Sequence, residues 1–226
     1  MMRSKRKIKP PTVFYEEGAK ILSKTYTQLD NVKGDHYHID YKKIMEKPAN
    51  CSAEDWQIIN LVEFLHRMEL LYTSCSLFCT TDTCPMFNAG PQYKYFWEDT
   101  DSTNTIQVSA PEYFSNLKRY IKRCLQDPNI IPTESWVVMS KEQRDVLKTC
   151  YRRLFRILAH LYICHFENIS SIKKPNIVEI MNTILAHYSH FAIENNLIEY
   201  KDVEMLAPVF KAINKDEGSD ICPTGS

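Results

Sequence analysis

The chain has 226 residues, of which 44% are hydrophobic and 25% are charged, so it can bury one substantial core. Its formal net charge is zero, which argues against recognition of nucleic acid or membranes through a global electrostatic field. The N-terminal MMRSKRKIKPP lacks the apolar core of a signal peptide, and no run of about 18 apolar residues is present. The sequence therefore predicts a soluble, intracellular protein without a membrane-inserted segment.

The two ends of the chain are predicted to lie outside the folded domain. Residues 3–9 carry five basic side chains and run into Pro10 and Pro11, a composition typical of a flexible basic arm, here over residues 1–13. Residues 215–226 are polar and predict a disordered tail. Residues 14–214 are expected to form a single helical domain, in which Glu16–Leu29 has a weak helical pattern.

Five stronger helices are predicted from apolar residues that recur at intervals of three and four. In the first, Ser52 followed by Asp55 resembles an N-cap, and in the third, Ser140 and Gln143 resemble a capping box. The apolar stripe of the first comprises Trp56, Ile59, Val62, Leu65, Met68 and Tyr72, and that of the third comprises Leu147, Tyr151, Leu154, Leu158 and Leu161. The predicted helices are Cys51–Leu77, Pro111–Gln126, Lys141–Phe166, Asn176–Asn195 and Val203–Ile213.

A small β-hairpin is predicted between the first two of these helices. Its strands are Tyr93–Glu98 and Thr105–Val108, which are separated by polar Asp, Ser, Thr and Asn residues that favour a turn. Together these elements predict an all-α (mainly α) fold, with a four-helix bundle core, additional helices and a minor hairpin.

Two pairs of possible metal ligands lie far apart in the chain: Cys79 and Cys84 in FCTTDTCP, and His160 and His165 in AHLYICHF. Two thiolates and two imidazoles fill the tetrahedral shell of a zinc ion and leave no position for a substrate, so such a site is structural. Residues five apart in a straight helix lie about 140° apart, so the helix end must bend. Cys164, four residues from His160, is an alternative to His165. The alternative without a metal is a core histidine among small buried cysteines.

The same helix carries three arginines within about 100° of its surface, on the side opposite the leucine stripe. Arg152, Arg153 and Arg156 could therefore direct three guanidinium groups at one external anion. Bidentate arginine contacts suit phosphoserine or phosphothreonine. The alternative is a solvated helix face paired with acidic neighbours such as Glu142 or Asp145.

Several distinctive segments follow one another in the chain: FCTTDTCPMFNAGPQYKYFWED, VSAPEYF, YRRLFRILAHLYICHF, and then HF with NNLIE and LAP. In this order they resemble the Mob (Mps one binder) family of co-activators of Ndr/Lats-type kinases. The resemblance runs from about Trp56 to Ile213 and implies a Mob-type helical fold with a four-helix core and no enzymatic activity. The sequence also contains no nucleotide-binding or common hydrolase motif.

The resemblance also implies which residues form the sites. It places structural zinc (Zn²⁺) on Cys79, Cys84, His160 and His165, so that Cys164 is not expected to coordinate. It places a phosphopeptide pocket on three residues of the long helix, which are Arg152, Arg153 and Arg156.

Two features of the sequence differ from the family pattern at the recognition surfaces. Many members have a Lys-Lys pair where this chain has Thr103 and Asn104, which predicts a weaker or narrower phosphate site. The family's kinase-binding face is an acidic surface on the first long helix, which Glu54, Asp55 and Glu63 can supply here. Cys51 and Arg67 replace an acidic and an uncharged residue there, and this dilutes the acidic patch.

The predicted function is therefore that of a monomeric, non-catalytic adaptor. It is expected to bind the N-terminal region of an Ndr/Lats-type kinase, to activate that kinase allosterically, and to dock a phosphorylated upstream kinase or scaffold peptide. The expected location is the cytoplasm, with the nucleus and the cytoskeleton or spindle poles as further sites. The alternative is a zinc-containing nucleic-acid-binding module that uses the basic arm and the arginine face, against which the zero net charge argues.

Overall fold

The computed structural model describes residues 43, 45–98, 104–134, 136–172 and 177–217. The predicted basic arm over residues 1–13 and the helical pattern at Glu16–Leu29 lie outside the described residues. The helices are α1 (Ala53–Ser74), α2 (Ala110–Gln126), α3 (Lys141–Cys164), α4 (Phe166–Ser170), α5 (Ile177–Glu194), α6 (Tyr200–Val203) and α7 (Ala207–Glu217), with a 3₁₀ helix (Glu204–Leu206) between the last two. The prediction of a mainly α-helical fold with a small hairpin is confirmed.

The starts of the long helices follow from their capping residues. The Ser52 hydroxyl accepts a hydrogen bond from the backbone N–H of Asp55 at the start of α1. At the start of α3, Ser140 and Gln143 form the predicted capping box. Such caps satisfy backbone donors that have no partner within the helix, and each typically contributes about 1 kcal/mol to stability.

The C-terminal helix is divided, whereas the sequence predicted one helix over Val203–Ile213. The 3₁₀ helix Glu204–Leu206 separates α6 from α7. Pro208 lies in the first turn of α7, where its missing N–H costs no hydrogen bond, and this favours a new helix start. Helix α7 continues to Glu217, past the predicted domain boundary at residue 214, and residues 218–226 are not described.

Helix α3 lies at the centre of the fold and packs against α1, α2 and α5. Its predicted stripe is fully buried, as is most of the rest of its C-terminal half. Around it, the Phe64 ring of α1 contacts the rings of Tyr151, Tyr188 and Phe191 with edge-on geometry. Helices α1, α2, α3 and α5 thus form the main bundle.

The apolar stripe predicted for α1 was partly wrong. Ile59 and Val62, which belong to the predicted stripe, are 51% and 47% exposed. The buried side of α1 contains Met68 and Tyr72, as predicted, together with Ile58, Leu61, Phe64 and Leu71. Apolar residues cover much of the circumference of this helix, so the sequence pattern fitted two rotations. Packing against α3 and α5 selected one of them.

The predicted hairpin is present but short. Strand β1 (Trp97–Glu98) pairs antiparallel with β2 (Thr105–Ile106), with Trp97 opposite Ile106. An isolated bridge between Asn88 and Lys94 extends the irregular sheet towards the loop that follows α1. The hairpin therefore connects the region of the predicted metal ligands to the arginine-bearing side of α3.

No helix of the described chain is long and apolar enough to cross a membrane.

Candidate functional site

The four predicted metal ligands lie together in the core. The ligand atoms of Cys79, Cys84, His160 and His165 are all within 4.8 Å of one another, and all four residues are buried. Cys79 Sγ lies 3.3 Å from His160 Nε2, Cys84 Sγ lies 3.2 Å from His165 Nε2, and the two Nε2 atoms are 3.1 Å apart. Tetrahedral zinc bonds place such atoms roughly 3.3–3.8 Å apart. The donor set and its spacing therefore fit one tetrahedral ion.

Local backbone geometry turns both pairs of ligands towards one point. After α1, the Thr83 hydroxyl donates to the Phe78 carbonyl and accepts from the Thr80 N–H, and these bonds hold the short loop between the two cysteines. Helix α3 was predicted to reach Phe166 but ends at Cys164. His165 leaves the helix at φ −129° and ψ 5°, which is the bend that the five-residue spacing requires.

Asn88 forms hydrogen bonds with both His160 and Cys164, but only His160 has a ligand atom in the cluster. The backbone carbonyl of Asn88 lies 2.6 Å from His160 Nδ1, so Nδ1 donates a hydrogen bond and Nε2 is left as an acceptor within the cluster. The Cys164 thiol lies 3.4 Å from the Asn88 side-chain oxygen and is not part of the cluster. Of the two alternatives, the geometry favours His165.

Without a bound cation, burial favours the neutral forms of Cys79 and His160. Burial raises the pKa of the Cys79 thiol to about 12 and lowers the pKa of His160 to about 4. A divalent ion in the centre would lower the pKa of the thiols, because it stabilises thiolates and displaces their protons. The Tyr72 hydroxyl, 3.1 Å from Cys79 Sγ, can donate a further hydrogen bond to a thiolate.

The three arginines of α3 line one cavity of about 360 Å³. The hairpin and the segment before it supply the opposite wall, so neither element forms the cavity alone. The remaining lining residues are Lys94, Tyr95, Phe96, Glu98, Thr105 and Thr149. Among the described residues, neither Arg152 nor Arg156 has a carboxylate within salt-bridge distance, and the predicted pairing with Glu142 or Asp145 is not observed.

The three arginines have different environments. Arg153 is only 8% exposed, and its guanidinium group lies 4.7 Å from the centre of the Trp97 ring and 4.8 Å from that of Tyr120. It also donates to the Glu98 carbonyl at 3.3 Å, while its Nη1 has no acceptor in the described chain. Arg156 lies over the Tyr95 ring and donates to a tyrosine hydroxyl. Arg153 therefore forms the base of the cavity, and Arg152 and Arg156 form its more accessible wall.

The predicted acidic patch on α1 is largely occupied by contacts within the chain. Glu54 forms a salt bridge of 3.3 Å with Arg144 of α3. The Asp55 carboxylate accepts a hydrogen bond of 3.2 Å from the backbone N–H of Trp136, and its hydrogen bond with the Ser52 side chain is the main cause of its lowered pKa. Glu63 is more exposed and pairs with Arg67 at 2.8 Å.

An apolar surface on α1 was missed by sequence reasoning. Ile59, Val62 and Leu70 are 51%, 47% and 58% exposed. Together with Glu63 they occupy positions i, i+3, i+4 and i+11, and therefore share one side of the helix. This group is called the α1 outer face below. Its signal was present in the sequence as an excess of apolar residues over what one buried stripe requires.

Comparison with known proteins agrees with this architecture. Residues 34–206 match the sequence model of the Mob1/phocein family.

The chain belongs to the Mob1/phocein family.

Its relatives within the family include proteins from distant eukaryotes. It is 34% identical over 176 residues to MOB kinase activator-like 1 homolog A of Dictyostelium discoideum, which covers 77% of this chain and 81% of the relative. MOB kinase activator-like 1A of Arabidopsis thaliana is 34% identical over 173 residues, covering 76% and 79%. Maintenance of ploidy protein mob1 of Schizosaccharomyces pombe is 34% identical over 156 residues, covering 69% and 73%.

The unequal environments of the arginines predict unequal effects on stability. Arg153→Ala removes a buried cation between two aromatic rings and leaves a void, so the free energy of unfolding should fall by about 1–3 kcal/mol. Arg152→Ala, one position earlier and partly exposed, should change it by less than about 0.5 kcal/mol. Urea denaturation followed by circular dichroism measures both values. Equal destabilisation by the two variants would contradict the assigned environments.

Proposed function

We propose that this Mob-family chain is a non-catalytic co-activator that binds the N-terminal region of an Ndr/Lats-type protein kinase. A second part of the proposal is that its arginine pocket docks a phosphorylated segment of an upstream kinase or scaffold. The observation that carries the kinase-binding role is the α1 outer face, which exposes several large apolar side chains around Glu63. Clustered apolar exposure of this kind is typical of a protein-binding surface. The family relationship to proteins named MOB kinase activators identifies a kinase as the expected partner.

The α1 outer face suits an amphipathic, basic helix of the partner. Apolar side chains of such a helix would cover Ile59, Val62 and Leu70, while a cation would pair with Glu63. Arg67 already pairs with Glu63 at 2.8 Å, so an incoming cation must compete with it. We therefore infer that apolar burial supplies most of the affinity and that the carboxylate mainly orients the partner. Binding would activate the kinase by favouring its ordered, active arrangement.

Leu70→Asp should weaken binding of a purified Ndr/Lats-type N-terminal region by more than about tenfold, because it places a charge in the apolar contact. The expected loss for Glu63→Gln is smaller, since Arg67 already neutralises that carboxylate. Leu77→Asp is the matched control, because Leu77 is 85% exposed and lies beyond the end of α1. Calorimetric titration and a kinase activity assay measure the two effects. If Leu70→Asp and Leu77→Asp bind like the wild type, the kinase uses another surface.

We infer that the Cys₂His₂ cluster holds a structural zinc ion. The support is the donor set, its burial and the hydrogen bond that leaves His160 Nε2 directed into the cluster. Four protein ligands complete a tetrahedral shell, so the ion would have no open position for catalysis. The cluster joins the loop after α1 to the end of α3, and zinc would hold these segments together.

Cys84→Ser should abolish zinc binding and lower the melting temperature by about 10 °C or more, since a structural zinc ion contributes several kcal/mol to folding. Cys164→Ser is the matched control, because this thiol lies beside Asn88 and outside the cluster. Elemental analysis and calorimetry of both variants measure metal content and stability. A wild-type protein that is folded without bound metal, and insensitive to chelators, would contradict the zinc assignment.

The arginine pocket is proposed to bind the phosphate of a phosphothreonine or phosphoserine peptide. Arg152 and Arg156 are partly exposed, lie near Lys94, and have no carboxylate within salt-bridge distance in the described chain. Such a set of cations favours binding of a dianion. Arg153 would act from the base of the cavity. Glu98, whose carboxylate lies 3.9 Å from Arg153, opposes the positive charge and would limit affinity.

Arg152→Ala/Arg156→Ala should lower phosphothreonine-peptide affinity by at least about tenfold, because each charge-assisted hydrogen bond contributes roughly 1.5–3 kcal/mol. Arg153 is left in place so that the base of the cavity is retained. The matched control is Lys141→Ala/Lys211→Ala, which removes two exposed cations outside the pocket. Fluorescence anisotropy with phosphorylated and unphosphorylated peptides provides the measurement. Equal affinity for the two peptides, or no loss in the arginine variant, would contradict this role.

A further inference from the structure

The second half of α2 is strongly basic, although the whole chain has no net charge. Lys118, Arg119, Lys122 and Arg123 occupy positions i, i+1, i+4 and i+5, which place them along one side of the helix. The one carboxylate of α2, Glu112, lies in the first turn and is used in the capping box with Ser109. The helix therefore has no acidic side chain next to these cations.

Some of this charge is neutralised and some remains. Lys118 forms a salt bridge of 2.8 Å with Glu69 of α1 and lies over the Phe114 ring. Arg119 donates to the side-chain oxygen of Asn116, a neutral group. For Arg119 and Lys122, which are both exposed, no carboxylate of the described residues lies within salt-bridge distance. These two residues and Arg123 are called the α2 basic side.

The α2 basic side adjoins the arginine pocket. The guanidinium group of Arg123 lies 5.9 Å from the centre of the Tyr120 ring, and that of Arg153 lies 4.8 Å from the same centre. Cations from α2 and α3 thus contact one aromatic ring. The base of the pocket and the α2 basic side are therefore neighbours at Tyr120, whose ring also contacts Trp97 of the hairpin edge-on.

We propose that the α2 basic side extends the phosphopeptide pocket and binds acidic residues that flank the phosphorylated residue. This inference rests on the proposed phosphopeptide role. An extended peptide advances about 3.4 Å per residue, so carboxylates roughly three to six positions from the phosphate can reach α2 while the phosphate contacts Arg152 and Arg156. The selected partner is thus a phosphorylated segment with an acidic flank, and long-range attraction should also speed its association.

The surface favours a peptide over a nucleic acid. Single-stranded nucleic acids need exposed aromatic rings on which bases stack. Here Trp97 and Tyr120, which lie beneath the cations, are only 5% and 8% exposed, and of the aromatic residues that line the pocket only Phe96, at 46%, is largely exposed. Glu98 also places a carboxylate at the pocket, where a continuous phosphate backbone would meet repulsion.

The experiment uses the full chain and three synthetic peptides. The first carries phosphothreonine with an acidic flank, the second carries phosphothreonine with a neutral flank, and the third is the unphosphorylated acidic peptide. The test variant is Arg119→Gln/Lys122→Gln, and the matched control is Lys141→Gln/Lys211→Gln, which removes the same charge elsewhere. Fluorescence anisotropy at two salt concentrations gives each affinity, and a generic single-stranded RNA is titrated in parallel.

The wild type should bind the acidic phosphopeptide about three- to tenfold more tightly than the neutral phosphopeptide, as expected for a few exposed ion pairs. Arg119→Gln/Lys122→Gln should abolish this difference and leave the neutral phosphopeptide unaffected, while the control variant keeps the difference. A variant that retains it would overturn the inference while leaving the pocket intact. Failure of the wild type to distinguish phosphorylated from unphosphorylated peptide would instead overturn the proposed phosphopeptide role. Tighter binding of RNA than of every peptide, lost in the α2 variant, would replace the inference with nucleic-acid recognition.

Discussion

The burial of α3 against three other helices positions both candidate sites. Leu147, Leu154, Leu158 and Leu161 have no exposed surface, so α3 cannot rotate or slide without opening cavities in a close-packed core. Once its rotation is set, the directions of its polar side chains are also set. His160 then faces the cysteine loop, while the arginines face the hairpin and α2. One packing interaction thus organises a buried cluster at one end of the helix and a charged pocket along its side.

The two sites accommodate buried polar groups by different means. Thiols and imidazoles can become neutral when they are desolvated, and the pKa values of Cys79 and His160 move in that direction. A guanidinium group remains charged at any physiological pH, so Arg153 needs compensation from its surroundings. Two aromatic faces and a carbonyl oxygen provide it. The Cys₂His₂ cluster is consequently suited to a metal ion, and the arginine pocket to an external anion.

Although the chain has no net charge, its surfaces differ in charge and polarity. The α1 outer face is apolar around one carboxylate that already has a cation partner. The α2 basic side and the arginine pocket are positive, with Glu98 as a local exception. Apolar burial supplies affinity, whereas complementary charge mainly supplies orientation and selectivity. Two surfaces built from different helices can therefore recognise chemically different partners, as an adaptor requires.

The sequence alone determined the features that depend on local interactions. The capping serines, the stripe of α3 and three of the four candidate ligands (Cys79, Cys84 and His160) could be read from residue type and spacing. Family resemblance added the choice of His165, which spacing had left open against Cys164. Tertiary structure decided the rotation of α1. The apolar residues of this helix allowed two buried faces, and packing chose the one that leaves Ile59 and Val62 exposed. It also formed the salt bridge between Glu54 and Arg144, and it placed Arg123 of α2 and Arg153 of α3 on the Tyr120 ring. These contacts join residues that are distant in the chain, and sequence periodicity carries no information about which helices meet.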